Sequence, residues 1–280
     1  MQDKPVTVGP SFDPSDRVAA DVVGRLAGRH LLLLTDYDGT LADLAPVPAQ
    51  AFVAQEIKDE LDALAASDAV TVGVVSGRRL FDVAERVGPA AEFVAGLHGL
   101  EITGPDAAFH HYALDAVESV IETITRDAER ELAWCAGVLL ENKQYALTCH
   151  VRLARPELSG RALEEFEALV EPQLEARVLK LLNAAQAAEL LPAVDWHKGR
   201  AVQWIRARVA SRVDAPVSIV YLGDDRTDED AFTSLTDADI AIGVGERPHT
   251  HLIDFRLTGP ASVGRFFRAV RAASISSASP

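Results

Sequence analysis

The sequence contains little cysteine, no long apolar run and few basic residues. Its 280 residues include two cysteines, Cys135 and Cys149, in apolar surroundings and without the spacing of metal ligands. We therefore expect both to be reduced and structural. No stretch of about eighteen apolar residues occurs, and the first residues lack the apolar core of a signal peptide. These absences predict a cytoplasmic protein without a membrane span.

The shortage of basic residues restricts the partners. The chain has 27 Lys and Arg against 42 Asp and Glu, which gives a formal net charge of −15 and a pI near 4.9. Nucleic acids and anionic membranes are recognised by basic surfaces, so neither is expected as the main partner. A phosphate ligand would be repelled at long range, so any phosphate site must be locally basic or neutralised by a metal. We expect a small-molecule substrate and a monomer.

Two carboxylates directly follow the apolar run at residues 31–34. They are Asp36 and Asp38 of the segment TDYDGTL at 35–41, in which Gly39 permits a tight turn. Side chains alternate along an extended chain, so both carboxylates lie on one side. Open parallel sheets bind ligands beyond the carboxyl ends of their strands, where one acid could attack phosphorus and the other transfer a proton. The alternative is an acidic turn that caps the next helix.

Three further polar motifs follow in order. Ser76 begins an S-G-R turn after the apolar run 70–75, and Lys198 opens a segment with helical apolar spacing. The acidic segment GDDRTDED at 223–230 follows the apolar run 217–222. Each motif is weak alone, but the ordered set resembles the four-part signature of the haloacid dehalogenase (HAD) superfamily.

Strands and helices alternate in two separate parts of the chain. Residues 13–104 and 193–273 read as βαβ units, which predicts an α/β fold with a parallel sheet in a Rossmann-like HAD core. Residues 105–192 have the order αββαββ instead, which predicts a small sheet with helices on one face. Inserted between the second and third motifs, it would form a cap over the strand ends. Residues 1–12 and 274–280 are predicted to be disordered tails.

Phosphate ester hydrolysis requires a nucleophile, an acid, fixed cations and a metal together. Asp36 is the candidate nucleophile, which would form an aspartyl-phosphate, and Asp38 is the candidate general acid and base. Ser76 and Lys198 would hold the phosphoryl oxygens. A Mg²⁺ ion would be bound by Asp36, the backbone carbonyl of Asp38, and Asp224.

Several neighbouring residues allow more than one role. Asp225 and Asp228 are expected to orient metal-bound waters, although Asp225 could be a turn residue only. Thr227 and Asp230 form a T-x-x-D pattern, which favours helix capping. For His98, packing or a hinge hydrogen bond and a contact with substrate both stay open.

Four short motifs in and beside the predicted cap are specific mainly as a set. They are GLHGLE at 96–101, ENK at 141–143, HVR at 150–152, and ELLP at 189–192 followed by WHKG at 196–199. With the long acidic motif GDDRTDEDAF, they resemble the trehalose-6-phosphate phosphatases over residues 30–270. This resemblance implies a mobile α/β cap and Mg²⁺-dependent hydrolysis of trehalose 6-phosphate to trehalose and phosphate.

The family resemblance also implies which side chains bind the substrate. Glu141, Lys143 and Glu189 would bind sugar hydroxyls. Arg152 and Arg78 would reach the phosphate region when the cap closes. By strand parity, residues 141 and 143 face opposite to residues 150 and 152, so a turn or bulge must separate the two pairs.

One position departs from the family pattern, and two alternatives stay open. The family usually has a basic residue in E-x-[RK]-P, where this chain has Leu191. A phosphatase for a different sugar phosphate would keep the core motifs and differ in the cap. A non-catalytic HAD-like regulatory domain is disfavoured because the full set of core motif residues is present.

Overall fold

The computed structural model describes residues 14–184, 186–246 and 252–277, and these residues form eight helices and twelve strands in two sheets. The helices are α1 (Pro14–Arg25), α2 (Gln55–Ala65), α3 (Leu80–Val87), α4 (Ala113–Glu131), α5 (Pro156–Glu175), α6 (Lys198–Ala210), α7 (Glu229–Thr233) and α8 (Pro260–Ser277). The strands are β1 (His30–Thr35), β2 (Val70–Val75), β3 (Phe93–Gly96), β4 (Glu101–Thr103), β5 (Ala108–His110), β6 (Leu139–Asn142), β7 (Leu147–His150), β8 (Leu179–Ala184), β9 (Ala187–Pro192), β10 (Val217–Gly223), β11 (Ile240–Val244) and β12 (Phe255–Leu257). Among the described helices, none combines the length and apolar character needed to cross a membrane.

The large sheet has the strand order β12-β11-β10-β1-β2-β3-β4-β5. Its first six strands are parallel, and every residue of the central strand β1 is buried because helices cover both faces. Leu31 and Leu33 pack against one helical layer, and Leu32 and Leu34 pack against the other. The sheet confirms the predicted α/β class.

The sequence analysis missed the strands at both edges of the large sheet, which are β12 at one edge and β4 and β5 at the other. Strands β4 and β5 form an antiparallel hairpin beside β3, so residues 108–110 belong to the large sheet although the boundary at 104/105 assigned them to the cap. Short strands of this kind carry too few residues for a clear alternating pattern. Helix α1 was also missed; it packs beside α8, with the Ser15 hydroxyl donating to the Ser262 carbonyl at 3.1 Å.

The predicted tails fall largely outside the described residues. Residues 1–12 and 278–280 lie there, and nothing in the structure bears on them. Helix α8, however, continues to Ser277, beyond the predicted start of the second tail at residue 274. The tail prediction was therefore wrong for residues 274–277.

The small sheet, β6-β7-β9-β8, is entirely antiparallel. With α4 and α5 it has the predicted order αββαββ. The helices cover one face through an apolar core that includes Ile121, Phe166 and Leu147. Cys135 and Cys149 are buried free thiols in this core, as expected from their apolar surroundings. The opposite face of the small sheet is left for polar side chains.

Candidate active site

Three carboxylates meet where β1 and β10 end. The two strands are parallel neighbours, so Asp36 after β1 and Asp224 after β10 emerge at the same edge of the large sheet. Carboxylate oxygens of Asp36, Asp224 and Asp228 lie within 4.8 Å of one another, and all three residues are buried. Gly39 makes this approach possible: its φ is +80°, and a Cβ there would lie 2.1 Å from Asp224 Oδ2.

Lys198, the first residue of α6, places an ammonium group inside this cluster. Its Nζ donates to Asp36 Oδ1 at 2.7 Å and to Asp228 Oδ1 at 2.8 Å. Burial would lower the pKa of Lys198, but the two carboxylates raise it above its ordinary value, so the side chain stays charged. Burial raises the pKa of Asp36, and the carboxylates of Asp228 and Asp224 add to this effect against the opposing charge of Lys198.

Asp228 is held by four donors. Its Oδ1 accepts from Lys198 and from the Tyr221 hydroxyl at 2.7 Å, while its Oδ2 accepts from the backbone N–H groups of Asp224 at 3.1 Å and Asp225 at 3.0 Å. A carboxylate with this many partners is suited to fixing its neighbours in place. Asp36 and Asp224 then present hard oxygen ligands of the kind that Mg²⁺ prefers, so the residues fit the predicted metal.

The acidic loop is capped differently from the prediction. The Asp225 side chain accepts from the N–H of Arg226 at 2.6 Å, and Asp225 and Asp228 form a capping box around the short turn 226–228. Helix α7 follows this turn without a side-chain cap of its own. The interpretation of Thr227 and Asp230 as caps was therefore wrong, and the interpretation of Asp225 as a turn residue is supported.

Arg78 lies against Asp38 in the loop that follows β2. Its Nε and one terminal nitrogen donate to the two oxygens of Asp38, both at 2.7 Å, and the guanidinium also donates to Asp82 at 2.9 Å and to the Pro48 carbonyl at 2.7 Å. This bidentate contact fixes the orientation of the Asp38 carboxylate. The Ser76 hydroxyl accepts from the N–H of Arg78 at 3.2 Å, so the 76–78 loop is tightly turned.

The predicted sugar-binding residues share one face of the small sheet. In the antiparallel register Glu141 lies opposite Thr148, and Thr148 lies opposite Glu189, so the three side chains point the same way. Lys143 continues this register, because its N–H donates to the Ala146 carbonyl at 2.8 Å across a tight turn. The hairpin turn reconciles the opposite parities noted in the sequence.

These side chains reach across to the large sheet. Lys143 Nζ donates to Glu189 Oε1 at 2.6 Å and to the Gly77 carbonyl at 3.0 Å. His98 Nε2 lies 2.9 Å from the other oxygen, Glu189 Oε2. Burial would raise the pKa of Glu189, but Lys143 and His98 hold it far below its ordinary range, so Glu189 is a carboxylate.

Glu141 and Arg152 occupy the outer part of the same side. His150 Nε2 lies 2.9 Å from Glu141 Oε2, and although burial opposes it, this contact lowers the pKa of Glu141. Arg152 lies in an exposed position, where it donates to the Ala45 carbonyl at 2.8 Å and to Gln186 at 3.1 Å. Arg152 thus ties the small sheet to the loop after β1, and its predicted contact with phosphate stays a prediction.

Leu191 takes an apolar role at the base of the small sheet. It is 2% exposed and belongs to an apolar cluster with Leu97, Leu100 and Leu114. A basic side chain would be desolvated in this cluster, so Leu191 suits the surroundings that this chain provides.

The side chains that hold the predicted site residues in place were hard to identify from the sequence. Tyr221 lies on the mainly apolar strand β10, next to buried Val220 and Leu222, and Thr148 lies between buried Leu147 and Cys149. A buried hydroxyl requires a hydrogen-bond partner, so a polar side chain inside a buried strand was the available signal. Asp82, on the first turn of α3, had no such signal.

The family model for trehalose-phosphatases matches residues 34–252, which include the small sheet, most of the large sheet and every motif described above. The chain belongs to the trehalose-phosphatase family. A trehalose-phosphate phosphatase of Mycobacterium bovis is 33% identical over 259 residues, which cover 90% of this chain and 64% of that protein. This trehalose-phosphatase family member therefore spans about 64% of the length of that relative.

Solved structures show the same fold. The C-terminal domain of trehalose-6-phosphate phosphatase from C. albicans has a TM-score of 0.76 at 20% identity, covering 91% of this chain and 97% of that one. A haloacid dehalogenase-like hydrolase from Bacteroides thetaiotaomicron has a TM-score of 0.61 at 12% identity, covering 87% of this chain and 100% of that one. The HAD-like fold predicted for this trehalose-phosphatase family member is confirmed.

Proposed function

We propose that this chain is a Mg²⁺-dependent phosphatase that hydrolyses trehalose 6-phosphate to trehalose and phosphate. The observation that carries the proposal is the hydrogen bond from Lys143 Nζ to the Gly77 carbonyl at 3.0 Å. It brings the predicted sugar-binding face against the loop of the predicted phosphate site, beside the buried acid cluster. Family membership and the names of the relatives support the choice of substrate.

Asp36 is the proposed nucleophile. Its carboxylate oxygen attacks phosphorus, the bond to the sugar oxygen breaks, and water later hydrolyses the aspartyl-phosphate. Lys198, with Ser76, holds the phosphoryl oxygens and offsets the charge of the neighbouring acids. Asp36, Asp224 and the Asp38 backbone carbonyl would hold Mg²⁺, which when bound supplies positive charge to the phosphoryl group.

Asp38 is the proposed general acid and base. It gives a proton to the leaving sugar oxygen and later takes one from the attacking water. The bidentate contact with Arg78 fixes the orientation of the carboxylate but also favours its ionised form, so the contact has to loosen before Asp38 can carry the proton that it donates. Phosphate would compete with Asp38 and Asp82 for the same guanidinium, so substrate binding would loosen the contact.

Glu141, Lys143 and Glu189 are the proposed ligands of the sugar hydroxyls. In the structure these charges are satisfied by each other and by histidines, and sugar hydroxyls would replace some of those contacts. We propose that the small sheet and its helices form the cap of the core, with Arg152 approaching the phosphate as the cap closes. The cytoplasmic location and the monomeric state stay predictions.

The test is phosphate release from trehalose 6-phosphate, glucose 6-phosphate, sucrose 6-phosphate and a small aryl phosphate. A hydrogen bond to a charged group contributes about 1.5–3 kcal/mol, so alanine at Glu141, Lys143 or Glu189 should lower kcat/KM for trehalose 6-phosphate roughly ten- to more than a hundredfold. The aryl phosphate should be affected far less. Glu165→Ala, on the outer helix α5, is the control and should change neither.

Two outcomes would contradict the proposal. Equal hydrolysis of all the sugar phosphates would leave a phosphatase with a different or broader substrate. Absence of phosphate release from any of them in the presence of Mg²⁺ would favour the non-catalytic alternative.

A further inference from the structure

His98 has an unusual backbone conformation. Its φ is +56°, and the preceding Leu97 has a φ of +49°, so two consecutive side-chain-bearing residues are left-handed. Such a conformation is disfavoured and persists only where the surroundings enforce it. Here the Leu97 N–H donates to the Arg78 carbonyl at 2.7 Å, and the His98 N–H donates to the Ser76 carbonyl at 2.9 Å. The strained segment is therefore fixed to both ends of the 76–78 loop.

The residues that flank His98 are also anchored to the small sheet. Leu97 and Leu100 belong to the apolar cluster that contains Leu191. Leu191 lies on β9, two positions after Glu189 and on the same face of the sheet. Leu191, which replaces the usual basic residue of the family, thus helps to hold His98 beside Glu189.

The imidazole ring bridges the two parts of the site. A Cβ at Gly77 would lie 2.8 Å from the ring, so the ring packs directly on that glycine. The same edge of the ring contacts the small sheet, because Nε2 lies 2.9 Å from Glu189 Oε2. Glu189 is a carboxylate and can only accept, so Nε2 carries the hydrogen and donates it.

We propose that His98 is a positioning residue that orients the Glu189 carboxylate toward the sugar and couples that orientation to the 76–78 loop. This inference rests on the proposed function. The Lys143 ammonium at 2.6 Å and the Thr148 hydroxyl at 3.3 Å both donate to Glu189 Oε1, whereas His98 is the partner of Oε2, which retains a further acceptor site for a sugar hydroxyl. Without His98 the carboxylate could rotate about its side-chain torsions, and recognition of the sugar would weaken while the phosphate chemistry remained.

A matched pair of amides tests the proposal. The amide nitrogen of glutamine reaches the position of the histidine Nε2, whereas that of asparagine is one methylene too short and reaches only the Nδ1 position. Asparagine also tolerates a left-handed backbone well, so His98→Asn should fold. We expect His98→Asn to lower kcat/KM for trehalose 6-phosphate by about ten- to a hundredfold, and His98→Gln to stay within about threefold of the wild type.

The second readout separates positioning from a merely structural role. On a small aryl phosphate, which offers no sugar hydroxyls, His98→Asn should lower kcat/KM by less than about threefold. In a Glu189→Ala background it should cause no further loss beyond about twofold, because the group it positions is gone. His110→Leu removes a surface histidine that also contacts a carboxylate, Asp115 at 3.0 Å, and is the control that should change nothing.

Three results would overturn the inference. Equal losses in His98→Asn and His98→Gln would show that the ring, and not its hydrogen bond, matters. Parallel losses on both substrates would assign His98 to the fold or to phosphate chemistry, and additive losses with Glu189→Ala would separate the two residues. Failure of the proposed function is visible in the wild type alone, as absence of activity on trehalose 6-phosphate, and the inference would fall with it.

Discussion

Replacing Lys198 by methionine should destabilise the protein strongly. The substitution keeps the length of the side chain but removes the ammonium that contacts Asp36 at 2.7 Å and Asp228 at 2.8 Å, in a position where Lys198 is 2% exposed. Removing one partner of a buried ion pair leaves an uncompensated charge, which costs about 3–5 kcal/mol. The expected loss in the free energy of unfolding is therefore about 3–5 kcal/mol without metal.

Urea unfolding in EDTA at about pH 8 measures this difference, because at lower pH a raised pKa would let Asp36 take up a proton and avoid the charge. Added Mg²⁺ should restore part of the loss by binding the folded acid cluster. The variant should also release no phosphate, because Lys198 is proposed to hold the phosphoryl oxygens.

Lys180→Met is the matched control. Lys180 is half-buried, and its Nζ donates to the carbonyls of Val194 at 2.8 Å and Trp196 at 3.4 Å; no carboxylate of the described residues forms an ion pair with it. Loss of these hydrogen bonds from an ammonium group to uncharged carbonyls should cost about 1.5–3 kcal/mol, less than the loss expected for Lys198→Met. If Lys198→Met unfolded no more easily than Lys180→Met, the acid cluster would not depend on Lys198 for its charge balance.

Three other measurements address the site and the core. Asp36→Asn should fold normally but abolish turnover and covalent labelling by phosphate, and more than trace activity in pure protein would contradict the nucleophile. Thorough chelation should stop turnover and Mg²⁺ should restore it, whereas Ca²⁺, which takes more carboxylate oxygens, should inhibit; full activity under chelation would rule out the metal site. Burial would raise the pKa of Asp239, but donors from Ile219, Thr236 and Arg206 lower it below its ordinary value. The ionised Asp239 carboxylate therefore stabilises the folded protein above about pH 4, and this stabilisation is lost as pH falls through the folded pKa. Urea titrations should accordingly show that the difference in the free energy of unfolding between wild type and Asp239→Asn narrows below about pH 4. A constant gap would contradict this.

The strands that carry the site could be predicted because burial leaves a direct mark on sequence. A central parallel strand is covered on both faces, so β1 and β10 appear as short apolar runs that end at their functional residues. The order αββαββ of the inserted part could also be predicted, because the buried faces of its helices appear in the sequence as regular apolar spacing. Strands β4, β5 and β12 have three residues each, too few for any period to show.

Partner choice within the site could not be predicted. The pattern at Thr227 and Asp230 satisfies the capping rule as well as Asp225 and Asp228 do, and the loop path after β10 decides between them. The contact of Arg152 with the Ala45 carbonyl depends on where a loop of the large sheet meets the small one. Such pairings are set by tertiary placement, which a single sequence does not contain.

The two sheets differ in the sequence separation between their paired strands. The small sheet and its helices come from one continuous segment, whereas β1 pairs with β10 through residues as distant as His30 and Val217. Closing so long a loop is slow, and local contacts form before it. During synthesis the inserted part can fold before β10 has been synthesised. At that stage Asp36 is present, but Lys198 and Asp224 are not. We therefore expect the buried carboxylate cluster to be assembled late in folding, so that an incomplete chain would carry the proposed nucleophile Asp36 without the neighbouring charges of Lys198 and Asp224.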